Sequence, residues 1–403
     1  MILATEQAFV VHYTGHEFAS LGDSGHLGGG SVLCATQELC RRIGKENADQ
    51  GERICFTCRG GNMENESRIS NNREIGKNLQ IEGLRGLSTL PIVLYHLFCR
   101  YQEIYLGRYQ NHLWLESLAI FGMIAFVIMS SYFLWGEDRE SGFSLGRFYQ
   151  KKILRLWPSY FLCITITFTV LQIFNLPERM STFGEYVANV FFVNGFLGIN
   201  YVDGAHWYLT TMVLLISIAG VLKRFRLDSK WYVFLLWMIL NMLCRVLGID
   251  VLWRFTGGDF VGLVCAGTIL HRFMQCCGGG AEEKKKFVAQ WGVVALAACG
   301  HILQVYGFWN VLRAIAAVVL IWGCLRRKVG ILNNRIFVFM GKISYPVYLI
   351  HQNIAFQIEY CLMRWHGEFS YWFAVIALFV VTALGVAIYY CFERPVQRWI
   401  KKF

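Results

Sequence analysis

From residue 78 to the C-terminus, apolar runs long enough to cross a bilayer alternate with short polar connections. Ten such runs are legible, at 82–98, 113–135, 153–174, 206–222, 231–249, 260–273, 287–303, 309–325, 336–358 and 371–392, the sixth being the shortest. About 20 apolar residues in a helix span the hydrocarbon core, and a segment in lipid must satisfy its own backbone hydrogen bonds. The pattern therefore predicts about ten transmembrane helices in an all-α polytopic fold. Residues 1–62 stand outside it: they are rich in Gly, His and Cys, hold no apolar run long enough for a span or signal peptide, and show no sustained period. Residues 1–77 read as a polar leader, disordered or an extension of the gene model, with Met63 as the natural start; residues 78–403 form the membrane domain.

Composition agrees with the pattern. Hydrophobic residues make up 55% of the chain and charged ones 16%, against about a quarter charged in soluble domains. The formal charge of +11 would suit nucleic acid, but the positions of the cations point elsewhere. Arg147, Lys151, Lys152 and Arg155 follow the second run, Lys223, Arg224, Arg226 and Lys230 the fourth, Lys284 to Lys286 the sixth, Arg326 to Lys328 the eighth, and Arg394, Arg398, Lys401 and Lys402 close the chain. Alternate connections are poor in Lys and Arg; 175–205 holds Arg179 alone. This positive-inside arrangement places both termini in the cytoplasm and makes the bilayer, not nucleic acid, the partner.

Ten of the fourteen cysteines lie in or beside the apolar runs, where they act as small hydrophobes. Cys55 and Cys58, with Cys34 and Cys40 nearby, form one Cys-x-x-Cys pair without a well-spaced second, so no metal site is assigned.

Candidate chemistry concentrates in NLQIEGLRGLSTLPIVLYHLFCR, residues 78–100. Arg85 and His96 are eleven residues apart, almost a whole number of turns, so they share a helix face about 16 Å apart, with Glu82 near it. Ionisable groups in a membrane span are expensive and point to function. Other polar groups follow in chain order. Ser130 and Ser131 suit close helix packing or hydrogen bonds across the bundle. Lys152 and Arg155, three apart on one face, suit either a positive-inside anchor or a phosphate-bearing ligand entering from the cytoplasm. The connection 175–205 is expected to lie on or dip into the membrane as an outer lid, and His206 reads as interfacial. The runs at 287–303 and 309–325 carry little polar chemistry and read as scaffold. In GKISYPVYLIHQNI, Ser344, Tyr345, Tyr348, His351 and Gln352 put polar groups on an apolar helix, and Tyr348 and His351 share a face. Glu393 stands at the inner boundary beside Arg394, as an ion-pair partner or a functional acid.

The run EGLRGLSTLPIVLYH resembles the motif of the acyltransferase-3 family of integral membrane acyltransferases, and the resemblance continues in order through FVIMSSYFL, FYQKKILRLWPSY, HWYL, GKISYPVYLIH and FERP. It implies a ten-helix membrane domain that moves an acyl group, usually acetyl, from cytoplasmic acyl-CoA to a hydroxyl of a surface glycan or lipid-linked sugar. It also implies a multi-pass protein of a bacterial-type cytoplasmic membrane, with acetyl-CoA as co-substrate and no permanently bound cofactor. Carried onto matching positions, His96 is the catalytic residue, Glu393 an acidic partner, and Arg85, Lys152 and Arg155 serve the acyl donor; Glu82, Ser130, Tyr345 and His351 are supporting polar residues. Three positions depart from the family pattern: Lys152 stands where Arg is usual, Ser131 where Gly is common, and Met212 where many members have Glu. A neutral His96 suits a base that takes the hydroxyl proton, with Glu82 or Glu393 to orient it. Direct transfer and an acyl-enzyme on His96 are both open. So are a succinyl or longer acyl group and, from another class, an exporter of a glycolipid or acylated metabolite; against the exporter, no inverted repeat is visible.

Overall fold

A computed structural model describes residues 78–108, 113–135 and 143–400; the expectations for residues 1–77, the Cys55 and Cys58 pair included, fall outside these. The described residues form helices and connections with no strand. In chain order they are α1 (Leu79–Tyr95), a π-helical turn (His96–Arg100), α2 (Tyr101–Leu106), α3 (Leu113–Leu134) and α4 (Leu145–Phe174). A long connection follows with α5 (Phe183–Val190), α6 (Asn194–Leu197) and a 3-10 turn (Gly204–His206). Then come α7 (Trp207–Arg224), α8 (Trp231–Val246), α9 (Asp250–Phe255), α10 (Val261–Cys276), α11 (Ala281–Tyr306) and α12 (Phe308–Leu325). The chain closes with α13 (Arg335–His366), α14 (Tyr371–Ile388), a second π turn (Tyr389–Glu393) and α15 (Arg394–Ile400).

Among the described residues, six helical segments are long and apolar enough to cross a membrane: Trp114–Leu134, Leu145–Phe174, Gly204–Arg224, Ala281–Tyr306, Phe308–Leu325 and Tyr371–Ile400. The other four expected spans are helical too, but α8 and α10 have 16 residues each. In α1 and α13 polar residues interrupt the apolar pattern, and these are buried: Glu82, Ser88 and Thr89 on one helix, Ser344, His351 and Gln352 on the other. A helix enclosed by its neighbours has no need of an apolar surface all round, because its polar groups meet protein and not lipid.

α1 occupies that enclosed place. Its lower residues Ile81 and Leu84 belong to one apolar cluster with residues of α3, α10 and α12, while Val93, and Leu97 in the π turn that follows, belong to another with residues of α4, α13 and α14. Asn78 caps it, accepting the amides of Gln80 and Ile81 at 3.1 and 3.4 Å and donating to the Cys324 carbonyl at 2.8 Å. α1 crosses α13 without intervening side chains: a methyl group on Gly341 would overlap the Glu82 carbonyl, and one on Gly86 would lie 2.6 Å from the Gly341 amide. Small residues at a crossing let backbones touch, which is how helices associate where no hydrophobic effect drives them.

Pro91 has no amide to donate to the turn below it. One turn later the ladder widens. The His96 amide reaches the carbonyls of both Ile92 and Val93, and the Tyr101 amide bonds His96 O, five residues back. π turns of this kind recur at functional sites.

Candidate functional site

His96 opens the π turn and lines a partly open cavity. Ile92 and Tyr95 of α1, Ala119, Met123 and Phe126 of α3, and Trp207 and Tyr208 of α7 form much of its wall. Polar lining comes from Thr89, Arg100 and Gln352. A mostly apolar wall with a few convergent polar groups is the lining expected of a small-molecule site.

The ring of His96 is held by a second histidine. His96 Nδ1 lies 2.8 Å from His351 Nε2, and His351 Nδ1 lies 2.8 Å from the Tyr348 carbonyl oxygen. A carbonyl only accepts, so His351 Nδ1 carries the proton. With both rings neutral, His351 Nε2 is then the acceptor, His96 Nδ1 the donor, and the lone pair of His96 rests on Nε2. The network thus sets the tautomer of His96 by the bond its other nitrogen makes. The group at hydrogen-bond distance from His96 Nδ1 is thus His351 Nε2.

At one end of the cavity charged groups from three helices meet. Arg100 Nη1 pairs with Glu103 Oε2 at 2.8 Å, and Tyr95 Oη donates to Glu103 Oε1 at 3.2 Å. Glu116 lies within electrostatic reach of Arg100, Glu103 and Arg313. Arg313 on α12 donates to Asn310 Oδ1 at 2.9 Å and Ser117 Oγ at 2.8 Å. The runs at 287–303 and 309–325, read as scaffold, carry polar groups of their own: Arg313 on α12, and on α11 the buried His301, which bonds Asn241 Oδ1 at 2.9 Å.

Ser130 belongs with the cavity through Tyr208, whose hydroxyl is 3.0 Å from Ser130 Oγ and whose ring meets Tyr348 edge-on at 6.0 Å. Arg85 pairs with Glu82 at 3.3 Å one turn away. Tyr345 donates to the Leu156 carbonyl at 2.8 Å and lies within electrostatic reach of Glu393 and Arg155. Tyr389 stands within the same reach of Glu82 and Glu393. None of Glu82, Arg85, Arg155, Tyr345 and Glu393 lines the cavity, while Arg85 lies within electrostatic reach of Tyr208, which does. Lys152 Nζ, on the same helix as Arg155, lies 5.6 Å from the centroid of the Phe148 ring.

Ser131 is buried and donates to the Val264 carbonyl at 2.7 Å, tying α3 to α10. His206, expected at the interface, is 1% exposed, edge-on to the Tyr160 ring at 5.2 Å, because the connection before it turns inward. Sequence reasoning passed over Arg100, Trp207 and Tyr208 as site residues. A charge in the same apolar stretch as His96 was a usable signal for Arg100; nothing in the spacing marked the other two.

A family model described as an acyltransferase domain matches residues 78–391, from the cap of α1 into the second π turn. No curated protein and no solved structure matches the chain.

Proposed function

The chain belongs to this acyltransferase-3 family, and we propose on that premise that it moves an acyl group, most simply acetyl, from cytoplasmic acyl-CoA to a hydroxyl of an exported glycan or lipid-linked sugar. The observation that carries the reading is the bond from His96 Nδ1 to His351 Nε2 beside the cavity, which leaves His96 Nε2 to take a proton. In the step proposed, His96 Nε2 accepts the acceptor's hydroxyl proton as the oxygen bonds to the thioester carbonyl carbon. The carbon–sulfur bond then breaks, and the proton passes to the departing CoA thiolate. Atoms and charge balance without a further reactant.

We place both termini in the cytoplasm and all ten apolar runs across a bacterial-type cytoplasmic membrane. The alternation of cations along the chain supports this. Arg85, Lys152 and Arg155 then lie on the donor side, where cations suit CoA phosphates, and the cavity end with Arg100 and Arg313 faces the acceptor side. The connection 175–205 is the outer lid.

The test is the O-acyl content of surface glycans, by NMR before and after mild alkali, in wild type, a deletion strain, and the deletion complemented with His96→Ala. Loss on deletion that His96→Ala fails to restore, with the protein present in the membrane, is the expected result. Full restoration by His96→Ala removes His96 from the chemistry. An unchanged acyl content on deletion rules out the glycan acceptor and brings the exporter reading forward.

A further inference from the structure

The inner end of the connection between α4 and α7 grips the turn of α13 that carries His351. In an uninterrupted α-helix the amide of residue 353 bonds the carbonyl of residue 349. Here the Leu349 carbonyl accepts His206 Nε2 at 2.8 Å, and the Asn353 amide donates to Asp203 Oδ2 at 3.1 Å. An amide has one proton, so this helical bond is at most shared. Three further bonds close the grip. Asn353 Nδ2 donates to Val202 O at 2.7 Å, Ala205 N donates to Asp203 Oδ1 at 3.0 Å, and Tyr348 Oη donates to Ala205 O. His351 sits inside the gripped turn.

We propose that Asp203 and His206 form a clamp that fixes His351, and through it His96, so that Asp203 is a positioning residue; its catalytic consequence rests on the acyl-transfer reading above. Asp203 and Asn353 are fully buried. A buried carboxylate is costly unless hydrogen-bonded, and packing alone would be served better by an apolar residue. What the carboxylate offers is two acceptor oxygens for two backbone amides, which asparagine cannot match. It also sets a negative charge within electrostatic reach of His351. That charge favours the pair when His96 gains a proton. Asp203 does not bond the ring of His351, which is engaged through Nδ1 by Tyr348 O and through Nε2 by His96.

The clamp is tested on the full chain in lipid nanodiscs with ¹⁵N-histidine, whose solid-state NMR spectrum reports which ring nitrogen is protonated. His96→Gln and His351→Gln assign the two signals. Wild type is expected to show both rings protonated at Nδ1, Asp203→Asn to lose that state, and Asp203→Glu to recover part of it. In membranes carrying the natural acceptor, CoA release from acetyl-CoA should fall about tenfold or more in kcat for Asp203→Asn, with KM for acetyl-CoA unchanged, because the donor cations are elsewhere. Should Asp203→Asn fail to fold, His206 decides: His206→Gln keeps a donor to Leu349 O and should retain the tautomers and kcat, whereas His206→Phe should lose both. Wild-type tautomers and rate in Asp203→Asn, or equal behaviour of the two His206 variants, overturns the clamp. If wild-type membranes release no CoA, the acyl-transfer reading fails while the tautomer comparison still judges the clamp.

Discussion

Replacing His351 by alanine takes away the acceptor of the His96 Nδ1–H bond, 2.8 Å long between rings whose centroids are 4.9 Å apart. The His96 backbone stays where the π turn puts it, so the base remains but loses its orienter. Free imidazole has no reason to keep its proton on Nδ1, and in the transition state His96 carries a positive charge that the His351 lone pair would have met. A hydrogen bond to a charged group contributes about 1.5–3 kcal/mol, which corresponds to roughly a 10- to 150-fold loss in kcat. His96→Ala removes the base altogether and should cost about 10²- to 10⁴-fold. His351→Gln is the informative partner, since its amide oxygen can accept the same proton and should recover most of the rate. The assay is CoA release from acetyl-CoA in native membranes, with protein amount normalised by immunoblot. If His351→Ala stays near wild type, or if His351→Gln is no better than alanine, the orienting role is refuted.

Two further expectations follow from other parts of the molecule. Gly341→Val forces a side chain into the Glu82 carbonyl and the Gly86 crossing; overpacking of this kind costs about 1–3 kcal/mol, so the melting temperature in detergent should fall, and an unchanged value would show that α1 and α13 are not in backbone contact. The double variant Lys152→Gln, Arg155→Gln should raise KM for acyl-CoA by about tenfold or more with little change in kcat, each charged contact contributing about 1.5–3 kcal/mol, whereas Lys152→Arg should be tolerated; an unaltered KM would return both residues to the role of membrane anchors.

The apolar runs, the alternation of cations and the helix motif holding Arg85 and His96 were all legible in the chain itself, because lipid imposes one local rule on every span: enough apolar length and an internally bonded backbone. That rule acts on consecutive residues, so consecutive residues report it. It also explains why α1 and α13 look least like spans: their polar positions answer to neighbours far away in sequence. Tertiary structure alone decided that His96 meets His351, 255 positions along, and that none of Glu82, Arg85, Arg155, Tyr345 and Glu393 lines the cavity. It alone decided that Arg313 joins the Arg100 end, and that the residues before α7 hold the turn bearing His351. A helix periodicity fixes which side chains share a face, but not which face of another helix comes to meet it. That depends on crossings such as Gly86 on Gly341 and on a widened turn below Arg100, which are set by packing among helices and written in no single stretch of the chain.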